Sequence, residues 1–426
     1  MNRTLYSLLF TLFLPLIFVR LAWRSLSAPD YRRGWSQRLG LKQPWQRDTR
    51  QPVIWFHAVS MGETAAASSL ISQTLTAFPN HKILVTNMTP TGAAQVRRQF
   101  AEAMAQGRVV QQYLPYDLPW VINGFLKRVN PDLLVIVETE LWPNLLFYCQ
   151  RRQIPVALAN GRMNPKSAAR YLKFDQIRSD MMSALSGLAV QSEADAEQFQ
   201  RLGIPSEKIR ITGNLKFDKD LPKEQIEAGK QWREQIQRPV FLAASTNDGE
   251  ETPILAAYQQ LRKSIPDLLL VLVPRHPERF PVVESMLSEY CYVTRSSKTG
   301  VKPETQILLG DTLGEMMYFY AMADAAFVGA SLVPNGGHNP IEPAALGVPT
   351  VMGPHVFKCA DLCRQLTSSG GLTLVNEGQE LADVLKPWLI NLREAKRIGI
   401  KGQQVVEENR GSTQRQLELL KELVKG

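Results

Sequence analysis

Cysteine is scarce: only Cys149, Cys291, Cys359 and Cys363 occur in 426 residues. Four scattered thiols build no disulfide framework and read as free, mostly buried side chains on the reducing side of a membrane. Cys359 and Cys363 sit four residues apart and can share a helix face, yet two thiols without a nearby histidine make no zinc site. Low-complexity blocks and short repeats are missing, which argues against a solenoid or a disordered chain. Zinc-finger spacing and aromatic RNA-binding signatures are missing too, so nucleic acid is not expected as a partner despite the net charge of +9.

The positive excess is unevenly spread. Between positions 20 and 50 lie Arg20, Arg24, Arg32, Arg33, Arg38, Lys42, Arg47 and Arg50, against only Asp30 and Asp48. An anionic membrane surface or a phosphorylated substrate suits such a cluster. It comes directly after an uncharged run from Leu5 to Val19, LYSLLFTLFLPLIFV. No A-x-A-like cleavage site comes after that run, so an uncleaved anchor is expected over 1–26, spanning the bilayer or lying in its interface, with Pro15 as a kink. The basic flank over 27–51 puts itself and the rest of the chain in the cytoplasm. A buried core helix is the competing reading of the same residues.

Length fits two domains. From Pro52 onward, short β-branched runs alternate with amphipathic segments, the pattern of βα units around a parallel sheet. The strands expected are 53–59, 82–88, 109–115, 132–138, 155–160, 187–192 and 209–214, then, after a polar stretch, 239–245, 268–274, 292–297, 305–310, 325–331, 349–353 and 372–377. The fold class is therefore α/β: two Rossmann-like domains, 52–222 and 223–404, facing each other across a cleft, with a C-terminal helix over 405–426. Ligands of such sheets bind beyond the carboxyl ends of the strands.

Five segments fall at strand ends. In His57-Ala-Val-Ser-Met-Gly-Glu63, Gly62 permits a tight turn, and Glu63 in the next helix either complements the helix dipole or acts as a general base. His57 reads as a packed histidine. In Glu138-Thr-Glu140-Leu-Trp-Pro-Asn144 an apolar strand ends in two acids, which strand alternation points the same way; they form a salt-bridged terminus or do chemistry. Lys216 in Gly213-Asn-Leu-Lys-Phe-Asp218 is a solvated lysine or a counter-charge for a leaving phosphate. Arg275 and His276, between Pro274 and Pro277, suit a phosphate or carboxylate. The fifth segment, Gly336-Gly-His-Asn339-Pro340-Ile341-Glu342-Pro-Ala-Ala-Leu-Gly347-Val-Pro349, combines close-approach glycines, Asn339 as a helix cap, Pro340 in the first turn, and Glu342 as an acceptor for ribose hydroxyls; Leu313-Gly314-Glu315 opens another helix beside it.

The E-x-x-A-x-G-x-P run resembles the nucleotide-binding signature of glycosyltransferases with the B-type fold. Together with HAVSMGE, ETELWPN, GNLKFD, PRHPER and GGHNPIEP, in this order along nearly the whole chain, it resembles the bacterial 3-deoxy-D-manno-octulosonic acid (Kdo) transferases. That resemblance implies a cytoplasm-facing inner-membrane enzyme of lipopolysaccharide core biosynthesis, with CMP-Kdo as donor and lipid IVA as acceptor. It implies transfer with inversion, no cofactor and no metal, and the donor half indeed has no D-x-D run. It further implies Glu63 as the general base, Glu138 and Lys216 as transition-state partners, and a CMP site built from Arg275, His276, Leu313, Gly314, Glu315, Asn339, Pro340, Ile341 and Glu342. Two departures stand out: Asn247-Asp248 where His-Glu is expected, so no chemistry is assigned there, and Ala330 after Gly329 where a second glycine is expected. Rival readings are another B-type transferase or sugar-nucleotide epimerase, and a non-catalytic membrane-surface binding protein.

Overall fold

Valine, isoleucine and leucine runs with no polar alternation can be buried on both faces only inside a parallel sheet covered by helices. The computed structural model, which describes residues 2–42, 51–218 and 221–425, contains two such sheets. Arg47, Asp48 and Arg50 of the basic segment lie outside the described residues. Two units divide the chain, Met1–Lys219 with Arg410–Gly426, and Asp220–Asn409.

In the first unit β1 (Val53–His57), β2 (Lys82–Asn87), β3 (Val109–Tyr113), β4 (Leu133–Val137), β5 (Val156–Gly161), β6 (Gly187–Val190) and β7 (Ile209–Ile211) pair in the order β3-β2-β1-β4-β5-β6-β7. Alternate residues of β1 feed opposite cores: Val53 and Trp55 join Leu134, Phe125 and Leu188 on one face, while Ile54 and Phe56 join Leu70, Val135 and Leu420 on the other. Trp55 is fully buried and its indole N–H donates to Thr86 Oγ1 at 2.8 Å, which satisfies its one polar atom.

The second unit repeats the plan. β8 (Val240–Thr246), β9 (Leu269–Pro274), β10 (Tyr292–Thr294), β11 (Ile307–Leu309), β12 (Ala325–Val328), β13 (Thr350–Met352) and β14 (Leu372–Leu374) pair in the order β10-β11-β9-β8-β12-β13-β14. Every pairing in both sheets is parallel. Each of the fourteen runs read as a strand coincides with one, most of them shorter at the carboxyl end, while β5 and β8 each run one residue further than expected.

The chain end crosses a boundary that the sequence pattern does not reveal. Helix Leu392–Asn409 belongs to the second unit, and helix Ser412–Lys425 packs Leu417 and Leu420 into the first. Asp218 accepts from the backbone N–H groups of Gly411 (2.8 Å) and Thr413 (2.5 Å), so its carboxylate caps that last helix. A division at 404/405 falls inside helix Leu392–Asn409.

Helix Arg3–Ser27 is the segment, among the described residues, long and apolar enough to cross a membrane. It also has a docked face. Phe10 stacks on Tyr116 (6.2 Å between centroids), Phe18 lies between Trp35 (5.2 Å) and Tyr116 (5.8 Å), and the Arg3 guanidinium sits 3.6 Å from the Phe147 ring centroid. Leu5, Leu9, Leu12, Leu16, Val19, Trp23 and Leu26, spaced three or four apart, stay exposed as an apolar stripe on the other side, with Leu8 beside it. One member of the basic cluster is not at the surface: Arg38 is buried, donates to the Met88 carbonyl at 2.7 Å and lies 4.5 Å over the Tyr113 ring. Arg38 therefore serves the first unit's packing, while Arg20, Arg24, Arg32, Arg33 and Lys42 remain exposed.

Candidate functional site

β1 and β4 are neighbours in the first sheet, but the strands that succeed each are added on opposite sides, which opens a crevice beyond their carboxyl ends. The segments leaving that crevice carry Glu63, Glu138 and Glu140. Ser60 caps helix Met61–Ala77: its hydroxyl accepts from the Glu63 N–H (3.2 Å) and donates to the Glu63 carboxylate (2.8 Å), while the Val59 N–H donates to the other carboxylate oxygen at 2.7 Å. Burial outweighs these bonds and pushes the Glu63 carboxyl up to about 7, with the negative charges of Glu138 and Glu140 adding to the rise. Gly62 is not the tight turn the spacing suggests. Its φ is not positive, it lies inside the first helical turn, and a Cβ there would meet only Ser60 Oγ, at 3.8 Å, so glycine leaves that turn bare.

Glu138 has φ +62, a left-handed conformation uncommon for a residue with a side chain. The strand ends at Val137, so strand alternation does not extend to Glu140, and each acid has its own surroundings. Glu138 lies 3.6 Å from Lys216 Nζ, whereas Glu140 accepts from the Trp142 indole N–H at 3.1 Å. Trp142 in turn packs edge-on against His57, 5.5 Å between centroids. His57 is fully buried, contacts Thr86 Oγ1 at 3.1 Å, and burial drives it down to about 3: a neutral, packed histidine, as read from sequence. Lys216 is held in a short 3-10 turn, Leu215–Asp218, not a loose linker. The Asn214 side chain accepts from the Lys216 N–H, Asn160 accepts from Leu215, and Asp218 grips the last helix.

In the second sheet the same topological switch lies between β8 and β12. A cavity of about 330 Å³ opens there, lined by Ser245, Arg275, Leu313, Gly314, Glu315, His338, Asn339 and Glu342 among others. Most of the proposed nucleotide residues thus converge. His276 is exposed nearby without lining the cavity, and Pro340 and Ile341 are buried beneath it. Helix Ile341–Ala345 is one turn long, and Asn339 Oδ1 accepts from the Ile341 N–H at 3.1 Å, bracing the loop one residue before the cap position. Glu315 pairs with Arg295 at 2.7 Å and accepts from Thr312 at 2.5 Å, and the Arg295 bond holds its carboxyl below the usual range.

Residues 33–219 match the family model of 3-deoxy-D-manno-octulosonic-acid transferase (kdotransferase). A 3-deoxy-D-manno-octulosonic acid transferase of Haemophilus influenzae is 38% identical over 99% of this chain and 98% of its own. Another from Bordetella pertussis is 35% identical over 80% and 79%. The chain belongs to the Kdo transferase family. A UDP-GlcNAc 2-epimerase from Neisseria meningitidis, bound to UDP-GlcNAc, shares the fold, with a TM-score of 0.56 over 87% of this chain and 100% of that one, but only 15% identity. That likeness shows the fold alone, so the epimerase reading has no support beyond it.

Within this Kdo transferase two further groups of the second unit stand out by their surroundings. Glu250 is fully buried, and its carboxylate accepts from the N–H groups of Asn247 (2.8 Å), Ala330 (2.7 Å), Ser331 (2.9 Å) and Leu332 (2.9 Å). It holds the turn after β12 in shape from inside. The signal was available: an acid pair just past an apolar strand, the pattern that singled out Glu138. Ala330 takes φ +58, which explains why glycine is expected there. His338, 3.2 Å from the Asn247 side chain, is lowered to about 4 by burial and by the positive charges of Arg275, Lys358 and His276. Arg275, which lines the cavity, suits an anionic group there.

Proposed function

We propose that this Kdo transferase uses CMP-Kdo as donor and lipid IVA as acceptor, working without a metal or other cofactor and with inversion at the transferred sugar. The reading places it in lipopolysaccharide core biosynthesis at the cytoplasmic face of the inner membrane. The observation that carries it is Glu63, a carboxyl raised to about 7 beside Glu138, Glu140 and Lys216 at a sheet switch point. A base with that affinity is half ionised near neutral pH and can accept the proton of a sugar hydroxyl.

In this scheme Glu63 takes the hydroxyl proton as the acceptor oxygen forms its bond to the anomeric carbon of Kdo. The bond from that carbon to the phosphate oxygen of CMP breaks, and the phosphate leaves with the electron pair. Attack opposite the leaving group inverts the centre. Glu138 stabilises cationic character on the sugar, with Lys216 fixing its orientation and charge. Arg275 and His276 meet the phosphate of CMP, while the 313–315 turn and the loop Asn339 to Glu342 hold the nucleoside, with Pro340 and Ile341 as its buried support. The exposed apolar stripe of helix Arg3–Ser27 and the neighbouring arginines suit an anionic bilayer surface.

The test is transfer of labelled Kdo from CMP-Kdo to lipid IVA with and without EDTA, with the new linkage assigned by NMR. Undiminished transfer in EDTA and a linkage opposite in configuration to the donor are expected. Retention, or loss in EDTA that magnesium restores, would contradict the scheme.

A further inference from the structure

Beside the proposed acceptor end, the first unit contains an apolar cavity of about 290 Å³. Tyr6 and Phe10 of the N-terminal helix form one wall, Leu141 and Trp142 a second, and Phe174 and Met181 a third. The helix that supplies the first wall therefore lines a cavity with one face and exposes an apolar stripe with another. It is fixed to the second wall by hydrogen bonds: Arg3 (3.1 Å) and Ser7 (3.0 Å) bond the Asn144 side chain, and the buried Asp117 carboxylate caps helix Pro143–Arg151 through the N–H groups of Asn144 (3.0 Å) and Leu145 (2.8 Å).

We infer that this cavity seats an acyl chain of the phosphorylated glycolipid acceptor. The inference rests on the acceptor reading proposed above and adds a subsite to it. Three observations agree on that occupant. The lining is almost wholly apolar, which suits a hydrocarbon chain and no part of a sugar. Trp142 links the cavity to the carboxylates: its ring lines the wall and its N–H donates to Glu140, whose charge reaches Glu63, so a chain seated here leaves its sugar beside the base. Finally, Tyr171 and Phe174 are interleaved with the exposed cations Lys166, Arg170 and Lys173, which complement the phosphates of the same molecule. A neutral lipid would not need the last feature, and a free phosphosugar would not need the first.

Phe174→Ser places a hydroxyl at the partly exposed lip, and Ile177→Phe fills the interior; Phe174 is 41% exposed, so the first variant keeps its fold even if the second does not. KM is measured for lipid IVA and for its fully deacylated glycan. The expected result is a rise of about tenfold or more for lipid IVA, as for loss of a buried side chain's worth of apolar contact, with the glycan unchanged. Equal changes on both acceptors, or none on lipid IVA, overturn the inference. A wild type that transfers nothing to lipid IVA sinks the acceptor reading separately. The subsite is then judged by photo-cross-linking of lipid IVA carrying a diazirine in its acyl chain. Labelling within 171–181 supports it; labelling elsewhere, or equal labelling by a phosphatidylethanolamine with the same chain, overturns it.

Discussion

At the residue scale the first unit's site is a set of groups held where they are uncomfortable. Glu63 ionises in a half-buried place that favours its neutral form, so its folded affinity for a proton lies above the unfolded value. This carboxyl therefore costs the native state nothing below its ordinary range, and its contribution to stability is lost as pH rises through about 7. Glu138 is the second case. A left-handed backbone at a residue with a Cβ costs about 1 kcal/mol, strain of the kind that gathers at ligand sites. Glu138→Gly removes both strain and carboxylate, so we expect unchanged or higher stability, by up to about 1 kcal/mol, with transfer reduced at least about a hundredfold. Thermal melts and single-turnover rates check the two halves; a large loss of stability would mean the side chain is structural. Sequence made Glu63 and Glu138 legible because acids past an apolar strand are conspicuous. It did not reveal the separate surroundings of Glu138 and Glu140, since a positive φ at a glutamate carries no sequence signal.

At the element scale, the strands were the most legible part of the chain because parallel strands buried on both faces leave uninterrupted apolar runs. Two elements were not. The last helix covers the first unit's sheet, and its own 3.6-residue pattern says that it has an apolar face without saying which sheet that face covers. The short helix Ile341–Ala345 begins one residue later than the Asn-Pro pair suggests, because Asn339 spends its side chain bracing the loop. That loop is also held from below by Glu250, which satisfies four backbone N–H groups with one carboxylate. Glu250→Gln keeps the volume but turns an amide donor toward those donors. We expect a loss of about 2–3 kcal/mol from the second unit and weaker CMP binding, with the first unit's stability unaffected. Calorimetry and CMP titration measure both, and unaltered CMP affinity would separate Glu250 from the nucleotide site.

At the scale of the whole molecule, each unit gathers its candidate site residues at the switch point of its sheet: carboxylates and a lysine in the first, a cavity lined by Arg275, His338 and Glu342 in the second. The N-terminal helix joins this division of labour, docked by one stripe on the first unit and exposing another. Sequence showed its apolar character but not its docked face, because Tyr6, Phe10 and Phe18 read as further members of one hydrophobic run. The proposed reaction rests on Glu63 activating the acceptor hydroxyl. Its most direct test is labelled-Kdo transfer from CMP-Kdo to lipid IVA by the membrane-reconstituted protein, wild type against Glu63→Gln, from pH 5 to 9, with CMP binding measured in parallel. We predict a wild-type kcat/KM that rises with pH and levels off above about 7, and a Glu63→Gln protein that binds CMP normally but transfers at least about a hundredfold more slowly at every pH. Undiminished transfer by Glu63→Gln, with the same pH profile, would rule out Glu63 as the base and assign the proton to another group.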